Sequence, residues 1–277
     1  MLPNLVVIGA AKCGTTSLHE YLDLHPEISM SREKELNFFV ADKNWSKGLD
    51  WYQQHFGATH VRGESSPAYT AYPLLPGVPE RMAATIPNAR LVYLVRDPVE
   101  RIVSHYVHRT VNWPEMGSLE DALDDAHVRE WLVTPSYYWQ QLEQYLRHFS
   151  EDRILVLDSD ELRANRDGVL QRVFDFLGVD PSFRTPEFGR AHIAATGRTR
   201  RTPTGDLVST MLTRTLGTQR ARALRERAPS ALKSPFRSHT EPPLMRQEQR
   251  DELVAELAPE VERLRAETGL DFAGWTL

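Results

Sequence analysis

A buried strand that runs straight into a glycine-bounded turn and then a helix restricts a chain to α/β architectures. Residues 5–22, LVVIGAAKCGTTSLHEYL, have that form. Residues 5–8 are a continuous apolar run, the pattern of a strand covered on both faces of a parallel sheet. Leu18, Tyr21 and Leu22, with His25, recur at helical spacing, and Pro26 closes the segment. Gly9 and Gly14 let the backbone between them turn with its N–H groups inward. A helix beginning near Thr15 offers further unpaired N–H groups and the positive end of its dipole. Thr15, Thr16 and Ser17 add hydroxyl donors, and Lys12 adds a full positive charge. The loop is therefore read as an anion site.

The triphosphate-binding pattern G-x-x-x-x-G-K-[ST] has the same glycine spacing but puts its lysine directly after the second glycine. Here Thr15 holds that position and Lys12 lies inside the loop. A second strand pattern, LVYLV at residues 91–95, leads into Arg96, Asp97, Pro98, Glu100 and Arg101, then Ser104 and Tyr106. Asp97 is placed to cap a helix, Pro98 suits its first position and Glu100 stands three after the cap. Arg96 then lies at a strand's C-terminal end, where open α/β sheets bind ligands. With Ser104 two turns on, it can hold one phosphate by a charged fork and a hydroxyl. The plain alternative makes Arg96 a salt-bridge partner of Asp97 or Glu100. A magnesium-dependent nucleotide kinase prefers an aspartate at such a strand end.

Composition narrows the field. The 277 residues carry a net charge of −5, which argues against a nucleic-acid partner. No apolar run reaches the roughly 18 residues of a membrane span. Cys13 is the one cysteine, so no internal disulfide exists and a reducing compartment fits. The first residues lack a basic region before the apolar run and read as a strand rather than a signal peptide. The expectation is a cytoplasmic protein with no membrane span. Residues 184–237 hold eleven arginines and one lysine against three acids, a net excess of nine positive charges. That excess suits an anionic ligand or, equally, a solvated face.

The pattern G-x-x-K-x-G-T-T-S-L at residues 9–18 resembles the 5′-phosphosulfate loop of sulfotransferases that use 3′-phosphoadenosine 5′-phosphosulfate (PAPS). R-D-P-x-x-R-x-x-S-x-Y at residues 96–106 resembles their 3′-phosphate motif, with Arg96 and Ser104 at its binding positions. Further matches point to the heparan sulfate sulfotransferase branch, in a bacterial-type member. Glu35, Leu36, Asn37, Phe38 and Phe39 are similar to its E-x-x-F-F; Gly48, Trp51 and Tyr52 to its G-x-x-W-Y; and residues 64–69, ESSPAY, to its E-K-T-P-A-Y. The resemblance runs from about residue 5 to 181 and thins beyond. It implies a P-loop NTPase-like fold, a parallel sheet of about five strands with helices on both faces, in a single domain over residues 1–277.

It also implies an activity: transfer of a sulfuryl group from PAPS to a hydroxyl of a glycan, lipid or small-molecule acceptor, releasing the bisphosphate PAP and requiring no metal. Glu35 would serve as base and Lys12 would steady the leaving phosphate. Lys12, Cys13, Gly14, Thr15, Thr16 and Ser17 would line the cofactor loop, with Arg96, Ser104, Arg198 and Arg200 toward the 3′-phosphate. Glu33 competes with Glu35 as base. Glu64 is a candidate acceptor contact or a partner in a local ion pair, and His108, beside His105 on the same helix, is a second acceptor candidate. The chain departs from the branch at Ser65, where the branch has lysine, so that lysine's role is lost or moved. Trp113, Trp131, Tyr137 and the acidic residues 120–125 suggest acceptor contacts or a surface helix. The alternative functions are a P-loop nucleotide kinase and a catalytically silent PAP-binding module.

A stripe of Tyr138, Leu142, Tyr145, Leu146 and Phe149 reads as a core helix before a strand at 154–157, and residues 173–181 resemble the family's next helix and its stop. Leu253, Leu257, Val261 and Leu264 mark a packing helix ended by Gly269, with a kink expected at Pro259.

Overall fold

The computed structural model describes residues 1–110, 116–189 and 243–277, together with the backbone of two short strands at Thr199–Arg201 and Arg237–His239. The chain opens with β1 (Leu5–Gly9), α1 (Thr15–Asp23) and β2 (Ile28–Met30), then α2 (Gly48–Gln53), β3 (Val61–Ser65) and α3 (Val78–Thr85). It continues through β4 (Arg90–Val95), α4 (Pro98–Thr110), α5 (Leu119–Asp124), α6 (Ala126–Val133) and α7 (Tyr138–Leu146). There follow β5 (Ile154–Asp158), α8 (Ser159–Ala164), α9 (Arg166–Leu177), the short pair β6 (Thr199–Arg201) and β7 (Arg237–His239), and α10 (Gln247–Thr268).

β1 to β5 form one parallel sheet in the order β2-β3-β1-β4-β5; apolar runs mark β1, β4 and β5, while β2 and β3 carry no such run. β1 lies at its centre and every one of its residues is buried. Its neighbours on the two sides, β3 and β4, are reached in opposite directions from β1. The crevice at such a reversal, outside the strands' C-terminal ends, is the site open α/β sheets use for ligands. The residues beyond β1 and β4 meet there: Ala10 N–H donates to the Leu94 carbonyl at 2.6 Å.

Helices cover the sheet with the faces their spacing predicts. Leu18, Tyr21 and Leu22 of α1, and Leu170, Val173, Phe174 and Leu177 of α9, are buried in the main core with Tyr138, Leu142 and Tyr145 of α7. Each large apolar side chain so buried contributes about 1.5–3 kcal/mol. A second cluster joins Val99 and Ile102 of α4 to Leu119, Leu132, Leu253 and Leu257, so that α10 closes over α4. α10 is one helix through Pro259 and ends at Gly269 in the left-handed conformation (φ 69°). The kink expected at Pro259 does not divide it: the proline lies on the exposed face, away from the buried contacts at Leu257 and Val261. Among the described residues no helix is long and apolar enough to cross a membrane.

Gly9 shows how tightly the first strand end is packed, since a Cβ there would fall 2.0 Å from Thr70 Oγ1. Gly9→Ala is expected to cost about 1–3 kcal/mol of stability through overpacking, read as a lowered melting temperature. Adding Thr70→Ala is expected to recover part of the loss. An unchanged melting temperature in the single variant would show that this strand end has room to move.

Candidate active site

The first cradle is the loop after β1. Lys12 and Gly14 both take left-handed backbone angles, φ 76° and 91°. For lysine that is an uncommon conformation. Gly14 is the N-cap of α1 and no side chain caps the helix. The N–H groups of the first turn, at Thr15, Thr16 and Ser17, therefore lack helical partners. Thr16 is exposed, Ser17 half-buried and Thr15 buried. Cys13 forms the floor: fully buried, with Sγ 3.7 Å from Tyr138 Oη. Burial pushes its thiol up to about 11, against the pull of Arg101, Arg96 and Lys12, so it stays neutral.

The second cradle starts where β4 ends. Arg96 is half-buried, makes no ion pair with a described residue, and leaves Nε buried without a hydrogen-bond partner among them. The salt-bridge alternative is not what the fold adopts. Asp97 Oδ1 instead accepts from the Glu100 N–H at 3.0 Å, capping α4 as its sequence predicts. Its Oδ2 accepts from Thr276 N–H and Oγ, each at 2.7 Å. Glu100 faces Arg250 at 3.6 Å. An orphaned buried N–H on a positively charged fork, aimed from a strand end, fits a phosphate. Ser104 is half-buried two turns along α4.

Arg101 joins the two cradles. Its side chain is 0% exposed. Nε donates to the Ala11 carbonyl in the loop at 3.0 Å, and Nη1 to the Leu132 carbonyl at 2.5 Å and to Ser136 Oγ at 3.4 Å. Nη2 lies 3.0 Å from Nδ1 of His105. All of these partners are neutral. Arg109 Nε approaches the other ring nitrogen of His105 at 3.4 Å. Burial and the two arginines hold His105 far below the usual histidine range, so it remains neutral. His108 lies exposed on the same helix.

The third element is the loop after β2. Glu35 is exposed at φ 60°, with its N–H on the Ser65 carbonyl at 2.9 Å. Glu33 is exposed as well. Beneath Glu35, Asn37 donates its N–H to Ser66 Oγ at 3.0 Å and its side-chain amide to the Glu35 carbonyl at 2.7 Å. Ser66 Oγ donates to Glu64 Oε2 at 2.6 Å, while Tyr52 and Tyr69 donate to Oε1 at 2.5 and 2.9 Å. Tyr69 Oη also accepts from the Phe39 N–H at 3.3 Å, and Phe38 stacks on Tyr52 at 4.1 Å. Three motifs scattered over residues 35–69 thus close into one support for Glu35.

Glu64 departs from the acceptor contact expected of it. It is 0% exposed, with both oxygens engaged by hydroxyls and no ion pair with a described residue, so it offers no open oxygen to an acceptor. Burial raises its carboxyl above the usual range. Ser65, the departure from the branch, pairs its Oγ with Nδ1 of the buried His19 at 3.0 Å. Lys34 reaches Thr16 Oγ1 at 2.6 Å, a contact the sequence did not announce.

Other expected contacts lie elsewhere. Trp113 and Arg198 are outside the described residues; Arg200 is described only as backbone, opposite Ser238 in the β6–β7 pair. Asp121 closes the capping box of α5 with Ser118, Asp125 caps α6, Asp124 pairs with Arg246 at 2.9 Å, and Tyr137 donates to Glu256. Trp131 lies 5.2 Å from the Arg109 guanidinium. Those residues are engaged in structure rather than open to an acceptor.

Residues 2–193 match the model of a family described as the sulfotransferase domain. Human bifunctional heparan sulfate N-deacetylase/N-sulfotransferase 2 is 28% identical over 201 residues, covering 65% of this chain and 22% of that protein. Human heparan sulfate glucosamine 3-O-sulfotransferase 5 is 30% identical over 192 residues, covering 65% of this chain and 54% of that one. The chain therefore spans between a fifth and about half of these relatives. Among solved structures, a sulfotransferase from Alicyclobacillus acidocaldarius is similar over 100% of both chains, with a TM-score of 0.72 and 23% identity. A sulfotransferase domain from the curacin biosynthetic pathway is similar over 93% of this chain and 98% of its own, at 0.52 and 16%. At those identities the likeness speaks for the fold.

Burial, and next the Lys34 charge, lower His19 from 6.5 to about 4. The folded chain then binds that proton less readily than the unfolded one, so stability falls as pH drops from about 6.5 to about 4. His19→Gln is expected to flatten that part of the curve of denaturation midpoint against pH. Identical slopes in both proteins would mean that His19 titrates normally.

Proposed function

The chain belongs to the sulfotransferase domain family, and on that premise we propose that, as one domain, it moves a sulfuryl group from PAPS to a hydroxyl acceptor. The observation that carries this reading is the pair of cradles at the ends of the adjacent strands β1 and β4: the uncapped first turn of α1 beside Lys12, and the Arg96 guanidinium whose buried Nε has no hydrogen-bond partner among the described residues, with Arg101 fastening α4 to the loop at Ala11. Bound PAPS would supply a sulfuryl group already activated by its phosphate leaving group. Everything else falls to side chains and backbone of this chain.

Lys12 and the open first turn of α1 hold the 5′-phosphosulfate and steady the negative charge that grows on the departing phosphate. Arg96 and Ser104 hold the 3′-phosphate, the feature that separates this nucleotide from ATP. Arg198 and Arg200 join them on the resemblance of their segment alone. Glu35, exposed at the rim, takes the acceptor's proton as the new bond forms. Its aim depends on the Glu64, Tyr52, Tyr69 and Ser66 network, because a base misplaced by an ångström loses much of its effect. The relatives' names favour a glycan acceptor over a lipid or small molecule.

The test is turnover of radiolabelled PAPS against an acceptor panel with excess chelator. Wild-type protein is expected to label an acceptor under those conditions. Glu35→Gln is expected to lose about 10²–10⁴ in turnover while its calorimetric affinity for PAP is unchanged. Normal turnover in the variant would move the base elsewhere, with Glu33 next. A wild-type protein that ignores both PAPS and PAP would overturn the reading.

A further inference from the structure

Lys34 occupies a place that simple stability does not explain. It follows Glu33 and precedes Glu35, yet no described carboxylate lies within ion-pair distance of it. Its ammonium has three donors, and Thr16 Oγ1 at 2.6 Å is its hydrogen-bond acceptor among the described residues. Thr16 belongs to the first turn of α1, the positive end of the helix dipole. A lysine held there gives up side-chain freedom and faces repulsion from the dipole. Burial also lowers its pKa, against the opposing pull of Glu35 and Glu20. An arrangement that gathers positive charge at an open helix end is completed by an anion.

The position of Lys34 says which part of the anion it would meet. Lys12 approaches the helix end from the loop after β1, whereas Lys34 comes from the loop that carries Glu35. Ser65, which is neutral where the branch resembled has lysine, pairs with His19 of the same helix α1 at 3.0 Å. We propose that Lys34 is a second catalytic lysine, which binds the non-bridging oxygens of the sulfuryl group on the acceptor side while Lys12 serves the phosphate side. In the transfer, the acceptor oxygen bonds to sulfur and the sulfur–oxygen bond to the phosphate breaks. Its electron pair stays on the phosphate oxygen, and the acceptor's proton passes to the Glu35 carboxylate. Lys34 neutralises the sulfuryl oxygens throughout and neither gives nor takes a proton. This inference rests on the sulfotransferase reading.

Calorimetry without acceptor separates the two ideas, because PAP lacks the sulfuryl group and PAPS carries it. For Lys34→Met, affinity for PAP is expected to stay within about twofold of wild type, while affinity for PAPS falls roughly tenfold or more, as for a lost hydrogen bond to a charged group. Turnover is expected to fall about 10²-fold, the loss of one preorganised donor, and Lys34→Arg to recover part of the PAPS affinity. If PAP and PAPS weaken equally, or melting temperature falls with both, Lys34 only pins its loop to α1 and the inference is wrong. If both affinities match wild type, the inference is wrong and the sulfotransferase reading stands. Wild-type protein that binds neither nucleotide would overturn both.

Discussion

The guanidinium of Arg101, sealed between the first loop and α4, is the interaction on which the site depends. A buried charge without a counter-charge costs several kcal/mol unless hydrogen bonds satisfy it. Here the loop carbonyl of Ala11, the Leu132 carbonyl, Ser136 and His105 share that task. The consequence is geometric. The helix that carries Ser104 and the loop that carries Lys12 cannot shift separately without leaving a charged donor unpaired in the core. The span between the two cradles is therefore held by the protein before any ligand arrives, which lowers the ordering cost of binding a doubly phosphorylated nucleotide.

The loop after β2 follows the same logic with a carboxyl in place of the guanidinium. Glu64 is buried among hydroxyls, and its neighbours reach up to the loop of Glu35 through Ser66, Asn37 and Tyr69. A network of this kind is rigid only while every member is satisfied. Two carboxylates thus have separate tasks: one lies at the rim, and the other holds the loop beneath it. The contact of Thr276 with Asp97 adds a third fastening, tying the segment after α10 to the cap of α4.

What could be read in the sequence was what local pattern dictates. Apolar runs marked β1 and β4, the glycines marked the turn, and Asp97 with Pro98 marked the start of α4, because strand burial and helix capping act over a few residues. The long-range contacts were not legible. Glu64 gives no local sign that Tyr52, Ser66 and Tyr69 will enclose it, so it read as an acceptor contact or a partner in a local ion pair. Arg101 stands one turn before His105 as any exposed helix residue might, and its burial comes from α6 and the turn after it. Lys34 stands between Glu33 and Glu35, which gives no local sign of its contact with Thr16. Pro259 lies inside one continuous helix, on its exposed face.

The most direct measurement is a crystal structure of the protein with PAP bound. The account predicts the 5′-phosphate against Lys12 and the first turn of α1, and the 3′-phosphate on the Arg96 Nε and the Ser104 hydroxyl, with Arg101 still fastened to Ala11. A nucleotide bound outside the crevice between β1 and β4, or with either phosphate turned into solvent, would contradict it.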